Sequence, residues 1–425
     1  MLISKINPRL AVVVLMAFSV SLPVAALSLC KVLLFVTGLC FLVKEALVSS
    51  QNNTIPKGLT TPMILIGIGL WSFSLYWTAA AQDDALVAFV KHGKLLGIPI
   101  ILFLVKDREE IITGLQALAT GQCLVMVSSW LMAFDISLPW VFRPSGSADP
   151  LTQFVPYADS YLDQSIMLAA TAGIFWHLVR HETRSIYKSM CMLFVFGCIL
   201  NVLALMPGRT GYLLAIATAC LAAIFEVPRR LRIAVAMFSP LVLGITLFYT
   251  VPQFQQRIKL ATEEMSSYGT SPVVGSSIGA RLNMWKLSAS AIASNPIPGY
   301  GIGNWTPVVK KLYGSHSEIV FGSGNLSNPH QELLLWTVEL GLVGAALYFG
   351  IFWALLRDTQ NFATPIRRAN LSLITMLFLT CLFNSPLYDD LMGDYFCIAI
   401  GLLLALGSRG VSTLDPARAK SSIKI

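Results

Sequence analysis

The chain has 425 residues, of which 55% are hydrophobic and only 12% charged, far more apolar side chain than a soluble core can bury. This excludes a soluble globular protein and makes the chain a membrane protein. The formal charge of +8 would suit nucleic acid or acidic lipid, but topology accounts for most of it, so membrane lipid is expected as a partner and nucleic acid is not.

All eight cysteines (Cys30, Cys40, Cys123, Cys191, Cys198, Cys220, Cys381 and Cys397) lie inside apolar runs with no CxxC pair, which argues against disulfides and zinc. At the N-terminus, Lys5 and Arg9 ahead of an apolar stretch imitate a signal peptide. Leu29 is too bulky for the cleavage position, however, and apolar sequence resumes from Val32 to Val43 as the return leg of a hairpin. The apolar runs then predict spans near 10–24, 27–43, 62–80, 85–105, 111–134, 162–179, 189–206, 211–226, 233–251, 330–355, 370–387 and 393–407. Each is about a bilayer thickness as a helix. The expected fold is therefore all-α and polytopic with about twelve transmembrane helices: nine over 1–251, a large loop over 252–329, three over 330–407 and a tail over 408–425.

With the N-terminus in the cytoplasm, 19 of the 30 basic residues fall on the inward side, and six of the remaining 11 sit in the one long loop that the positive-inside rule discounts. Both termini are then cytoplasmic and the 252–329 loop is periplasmic. Helical apolar spacing predicts helices over Phe254 to Met265 and Ile278 to Ile292, followed by a Gly/Pro-rich turn from Asn295 to Trp305. A second outward loop, near 135–161, carries Asp135, Trp140, Arg143, Asp149, Tyr157, Asp159 and Tyr161.

Function is expected on this outward side. In Asn328-Pro329-His330-Gln331, ahead of Glu332, Asn328 reads as an N-cap, Pro329 as the first helical residue and Gln331 as the closure of a capping box. His330 would then sit in the first turn, where the helix dipole favours the neutral, base-competent imidazole and the free N–H groups favour an anion. Arg209 follows Pro207-Gly208 in a short outward turn, against the positive-inside bias, and offers a planar bidentate donor suited to phosphate. Arg281 lies early in the second loop helix. Lys91 and Lys94 share one face inside a span, where cations are costly.

Bland alternatives stand beside each of these. His330 would anchor a helix at the interface, Arg209 would meet headgroups or an acid, Arg281 would be a solvated charge, and the lysines would pair with Glu339. Asp389, Asp390 and Asp394 form the outward acidic cluster; short-loop solvated acids are commoner than metal ligands, and no metal is expected there. Gly299, Gly301 and Gly303 lack a preceding strand and read as a turn, and no nucleotide or metalloprotease motif is present.

The stretch His330-Gln331, nine residues, Gly341, two residues, Gly344 resembles the C-terminal signature of the bacterial O-antigen ligases. Gly208-Arg209-Thr210-Gly211, Arg281 with Trp285, and Asn295-Pro296 to Gly303 with Trp305 look like that family's other landmarks, so the resemblance covers about residues 200–350. It implies a GT-C-like inverting glycosyltransferase of lipopolysaccharide biosynthesis that moves O-antigen from undecaprenyl diphosphate to lipid A-core, with no metal or nucleotide cofactor. His330 would be the general base, Arg209 and Arg281 the diphosphate ligands, and Lys91, Lys94, Gln331 and Asp389 secondary contacts.

The motif does not separate ligases from O-antigen polymerases or protein O-oligosaccharyltransferases. A transporter would be expected to show repeated halves and broken mid-membrane helices, and the sequence displays neither.

Overall fold

A computed structural model describes residues 7–48, 58–141, 151–156, 160–179, 184–267, 277–313 and 328–411. Among these residues all regular structure is helical. The chain runs through α1 (Pro8–Ser19), α2 (Val24–Val48), α3 (Thr60–Ser74), α4 (Gln82–Gly93), α5 (Gly97–Leu104), α6 (Arg108–Ala133), α7 (Tyr161–Val179), α8 (Ser185–Leu205), α9 (Arg209–Glu226) and α10 (Arg232–Thr250). The loop contributes α11 (Pro252–Ser267), α12 (Ser277–Ser294) and α13 (Trp305–Tyr313). Then come α14 (Glu332–Leu340), α15 (Leu342–Thr359), α16 (Thr364–Phe383) and α17 (Asp390–Val411).

Local chemistry sets several starts. Asn7 accepts from the Arg9 N–H ahead of Pro8, and Asp107 accepts from the Glu110 N–H at the head of α6 (2.9 Å). Among the described residues, ten helices are long and apolar enough to cross a membrane, with α4 and α5 counted as one through a 3₁₀ turn at Lys94–Leu96. The chain is a polytopic α-helical membrane protein. The expected spans near 10–24 and 62–80 appear as the shorter apolar helices α1 and α3.

The centre of the bundle is α17, buried along most of its length and packed against α5, α6 and α16. Beside it, α7 lies among α8, α9 and α16. Lipid tails are as apolar as leucine, so close packing rather than apolar burial holds such helices together, and small residues permit it. Gly401 is one: a Cβ there would meet Ile101 of α5 at 3.1 Å. At the periphery α10 has no buried residue, as suits a helix facing lipid.

Three further departures from the sequence reading concern the helices and their starts. The expected span over 330–355 is broken at Gly341, so one interrupted helix is present where continuous apolar sequence hid it. The break is filled by protein. Tyr300 and Gly301 donate to the carbonyls of Val338 (2.9 Å) and Glu339 (2.8 Å), and Leu342 donates to Pro296 (2.9 Å), so the loop's Gly-rich turn satisfies the backbone groups that the interruption frees. Gly341 has φ +65° and ψ −155°, a region open essentially to glycine, and a Cβ would strike the Pro296 carbonyl oxygen. Gly341→Ala is accordingly expected to cost about 1–3 kcal/mol in backbone strain alone, read as a lower unfolding midpoint of the detergent-solubilised protein; an unchanged midpoint would show that the turn does not depend on this glycine.

The second departure is α13, a third loop helix where two were expected. The third concerns the start of α14, described with the site below. In the loop near 135–161, Arg143, Asp149, Tyr157 and Asp159 lie outside the described residues, as does most of the C-terminal tail.

Candidate active site

Three segments distant in sequence meet at the loop end of the bundle: the start of α9, the first turns of α12, and the turn ahead of α14. Arg209 is the first residue of α9, after Gly208. One residue on, Thr210 Oγ1 accepts from Asn384 Nδ2 (3.2 Å), which ties this start to the end of α16. Arg281 and Trp285 are one turn apart on α12, hence on one face. Trp285 Nε1 donates to the Pro329 carbonyl (3.1 Å), so the face that carries Arg281 is fastened to the residue before His330. Behind it, Trp305 Nε1 donates to Ser288 Oγ (2.9 Å), locking α13 onto α12.

The start of α14 is not the one expected. Gln331, not Asn328, is the N-cap, its side chain accepting from the Leu334 N–H (2.6 Å). His330 is therefore outside the helix, in a turn with φ +50°, and Asn328 Oδ1 accepts from its backbone N–H (2.8 Å). A non-glycine residue in the left-handed region is held there by its surroundings, and such outliers concentrate at functional sites. The correction changes the reason for the imidazole's state. Burial, and then the charge of Arg281, push the His330 pKa down to about 4, so the ring is neutral at ordinary pH without help from a helix dipole. Gln331 likewise has a structural duty as the cap rather than a visible place among the charged groups.

Electrostatics tie the arginines to one another. Burial pulls the Arg281 pKa down, Tyr161 and Glu264 act to raise it, and the charge of Arg209 acts to lower it, so all four groups share one field. Arg209 pairs with an acid, the alternative that stood beside its phosphate reading: its Nη2 and Nη1 donate to Glu264 Oε1 (2.9 Å) and Oε2 (3.3 Å). Sequence reasoning missed Glu264 because nothing along the chain links a loop-helix carboxylate to an arginine 55 residues away.

The lysines are not where they were expected. Glu339 pairs with His92 (2.8 Å) rather than with either lysine, and its other oxygen accepts from the Gly303 N–H (3.0 Å). His92 stacks on Trp71 with ring centroids 4.1 Å apart. This buried pair went unnoticed in the sequence, although a histidine inside a span was a signal. Lys91 Nζ lies 4.4 Å from the centre of the Tyr388 ring. Lys94 donates to the carbonyls of Tyr388 (3.2 Å) and Asp389 (2.7 Å) and lies 3.5 Å from Asp390.

Both lysines thus hold the loop ahead of α17. Of the acidic cluster only Asp390 is exposed, so the solvated reading holds there and fails at Asp394. Asp394 is buried and ion-paired to Lys31 (2.6 Å), and Asp390 is shared between Lys31 and Lys94. Asp389 Oδ1 accepts from Asn328 Nδ2 (3.4 Å), the residue that holds the His330 backbone. Burial pushes the Asp389 carboxyl up to about 6, against the pull of Lys94 and Lys91.

Comparison with known proteins finds similarity over the segments that form this site. Residues 192–349, which contain Arg209, Glu264, Arg281, His330 and the Gly341 break, match the model of the family described as O-antigen ligase. An uncharacterized protein of Haemophilus influenzae is 25% identical over 166 residues, a match covering 37% of this chain and 40% of that protein. Through residues 192–349, the chain is similar to the O-antigen ligase family.

Proposed function

We propose that the protein is an O-antigen ligase: an inverting glycosyltransferase that moves O-antigen glycan from undecaprenyl diphosphate to a hydroxyl of lipid A-core on the periplasmic side of the inner membrane. The observation that carries this reading is the meeting of Arg209, Arg281 and a histidine held neutral beside them.

In the reaction, His330 takes the proton of the acceptor hydroxyl as its oxygen attacks the anomeric carbon. The bond from that carbon to the diphosphate oxygen breaks, and the electron pair leaves with the diphosphate. Attack from the face opposite the leaving group inverts the anomeric configuration. Both arginines face charge that grows as the bond breaks, so they stabilise the transition state more than the bound donor. The donor brings its own bond energy, which suits a compartment without ATP. Lys91, Lys94 and Asp389 act at one remove by fixing the 388–390 loop and, through Asn328, the His330 turn.

The lipopolysaccharide of a deletion strain tests the assignment. Bare core with accumulated lipid-linked O-antigen is the expected result. Core carrying a single unit would make the protein a polymerase instead, and an unchanged ladder would end both readings.

A further inference from the structure

The two arginines of the site repel each other, yet they sit in one field before any anion arrives. Something must hold them, and the carboxylate of Glu264 on α11 is placed to do so. It receives both terminal nitrogens of Arg209, and Oε2 also accepts from the backbone N–H of Ile278 (3.0 Å), in the first turn of α12. One side chain therefore fastens the start of α9 to the start of α12, three residues before Arg281.

We propose that Glu264 is the positioning residue of the donor site: it orients the Arg209 guanidinium, fixes the entry of the α12 chain that presents Arg281, and screens the two cations from each other so that both are set for a lipid diphosphate. The inference rests on the reading of Arg209 and Arg281 as diphosphate ligands.

Two observations favour this role over a carboxylate that merely occupies the phosphate's place. A placeholder has to swing away, whereas Glu264 is tied down by a third hydrogen bond to backbone. The end-on grip also leaves Arg209 Nε–H buried and without a partner among the described residues, a donor kept in reserve on the edge of the guanidinium. Electrostatics agree in direction. Burial pushes the Glu264 carboxyl up, but the hydrogen bonds from Arg209 and Ile278 and the charges of Arg209 and Arg257 outweigh it and hold the group ionised.

The test measures binding of undecaprenyl diphosphate to the purified full-length protein in lipid nanodiscs, beside steady-state transfer kinetics. Glu264→Gln keeps the size of the side chain but loses the charge and turns an amide N–H toward a guanidinium. Removing a charge-assisted grip of roughly 1.5–3 kcal/mol corresponds to about 10- to 150-fold weaker binding. The donor KM should rise accordingly while the acceptor KM stays within about twofold, a split that general loosening of the fold would not produce. Glu264→Asp, which keeps the carboxylate, should recover part of the loss; it carries the same test if the glutamine variant does not fold.

Tighter binding by Glu264→Gln would overturn the proposal and make the carboxylate a competitor of phosphate, and unchanged binding with unchanged KM would leave it no role. If the wild-type protein binds undecaprenyl diphosphate and Arg281→Gln does not, while both Glu264 variants bind normally, only this inference falls. If Arg209→Gln and Arg281→Gln both bind as the wild type does, the diphosphate reading fails and Glu264 falls with it.

Discussion

Replacement of His330 by alanine is expected to lower glycan transfer by ~10²–10⁴-fold, the usual worth of a positioned general base, with the protein still folded and inserted. The turn that carries His330 does not depend on its imidazole. Asn328 holds the residue through its backbone N–H, Gln331 caps α14 with its own side chain, and Trp285 binds the Pro329 carbonyl. The comparison needs purified enzyme, lipid-linked donor and core acceptor, with donor binding measured separately. Wild-type turnover by His330→Ala would remove the base assignment. A defect confined to donor binding would move His330 to the phosphate ligands and send the search for a base to Asp389.

The same experiment run against pH carries a sign. An imidazole accepts a proton only in its neutral form, which is the form present above its pKa. Burial and Arg281 hold the His330 pKa near 4 in the free enzyme, so kcat/KM should stay level well below pH 6.5 and fall only as pH approaches about 4. Arg281→Gln removes the smaller of the two causes, and the acid limb should move upward without reaching 6.5, because burial remains. An acid limb already at 6.5 in the wild-type protein would show that the ring is solvated and carries a different role.

Arg281→Lys is expected to reduce transfer by roughly 10- to 100-fold despite conserving charge, because lysine offers a point charge where a planar fork is used. The surrounding face of α12 stays in place through Trp285 and Ser288, so the loss reports on the guanidinium rather than on the helix. Arg209→Lys should do at least as much, since it gives up both the phosphate fork and the two-pronged grip on Glu264. Initial rates at saturating acceptor, with donor varied, measure both variants. Wild-type kinetics in the two together would exclude diphosphate clamping by these residues.

Much of the architecture was legible along the chain because each transmembrane helix satisfies its own backbone hydrogen bonds and announces itself by continuous apolar length. Runs such as Ile233 to Val251 and the loop helix begun at Ile278 need no partner to be recognised, and they appear as α10 and α12. Arg209, Arg281 and His330 could be singled out because a cation on a short turn between spans, or an ionisable group beside a helix start, is anomalous in itself.

The partners of those residues were decided only in three dimensions. Whether Lys94 meets Glu339 or the carbonyls at 388–389 depends on which helices lie side by side and at what rotation, and one step of that rotation exchanges His92 for Lys91 as the residue facing Glu339. The interruption at Gly341 was invisible because glycine is compatible with a helix. What stops the helix there is a docked turn from elsewhere in the chain, whose N–H groups replace the intrahelical donors. Glu264 shows the same principle at the site: an acid on a surface-like loop helix takes its meaning from an arginine 55 residues earlier and a backbone N–H 14 residues later. Composition and periodicity therefore determined the class of this protein and the identity of its charged outliers. Tertiary packing decided which charges neutralise one another, because that depends on contacts between helices that the order of residues in the chain does not encode locally.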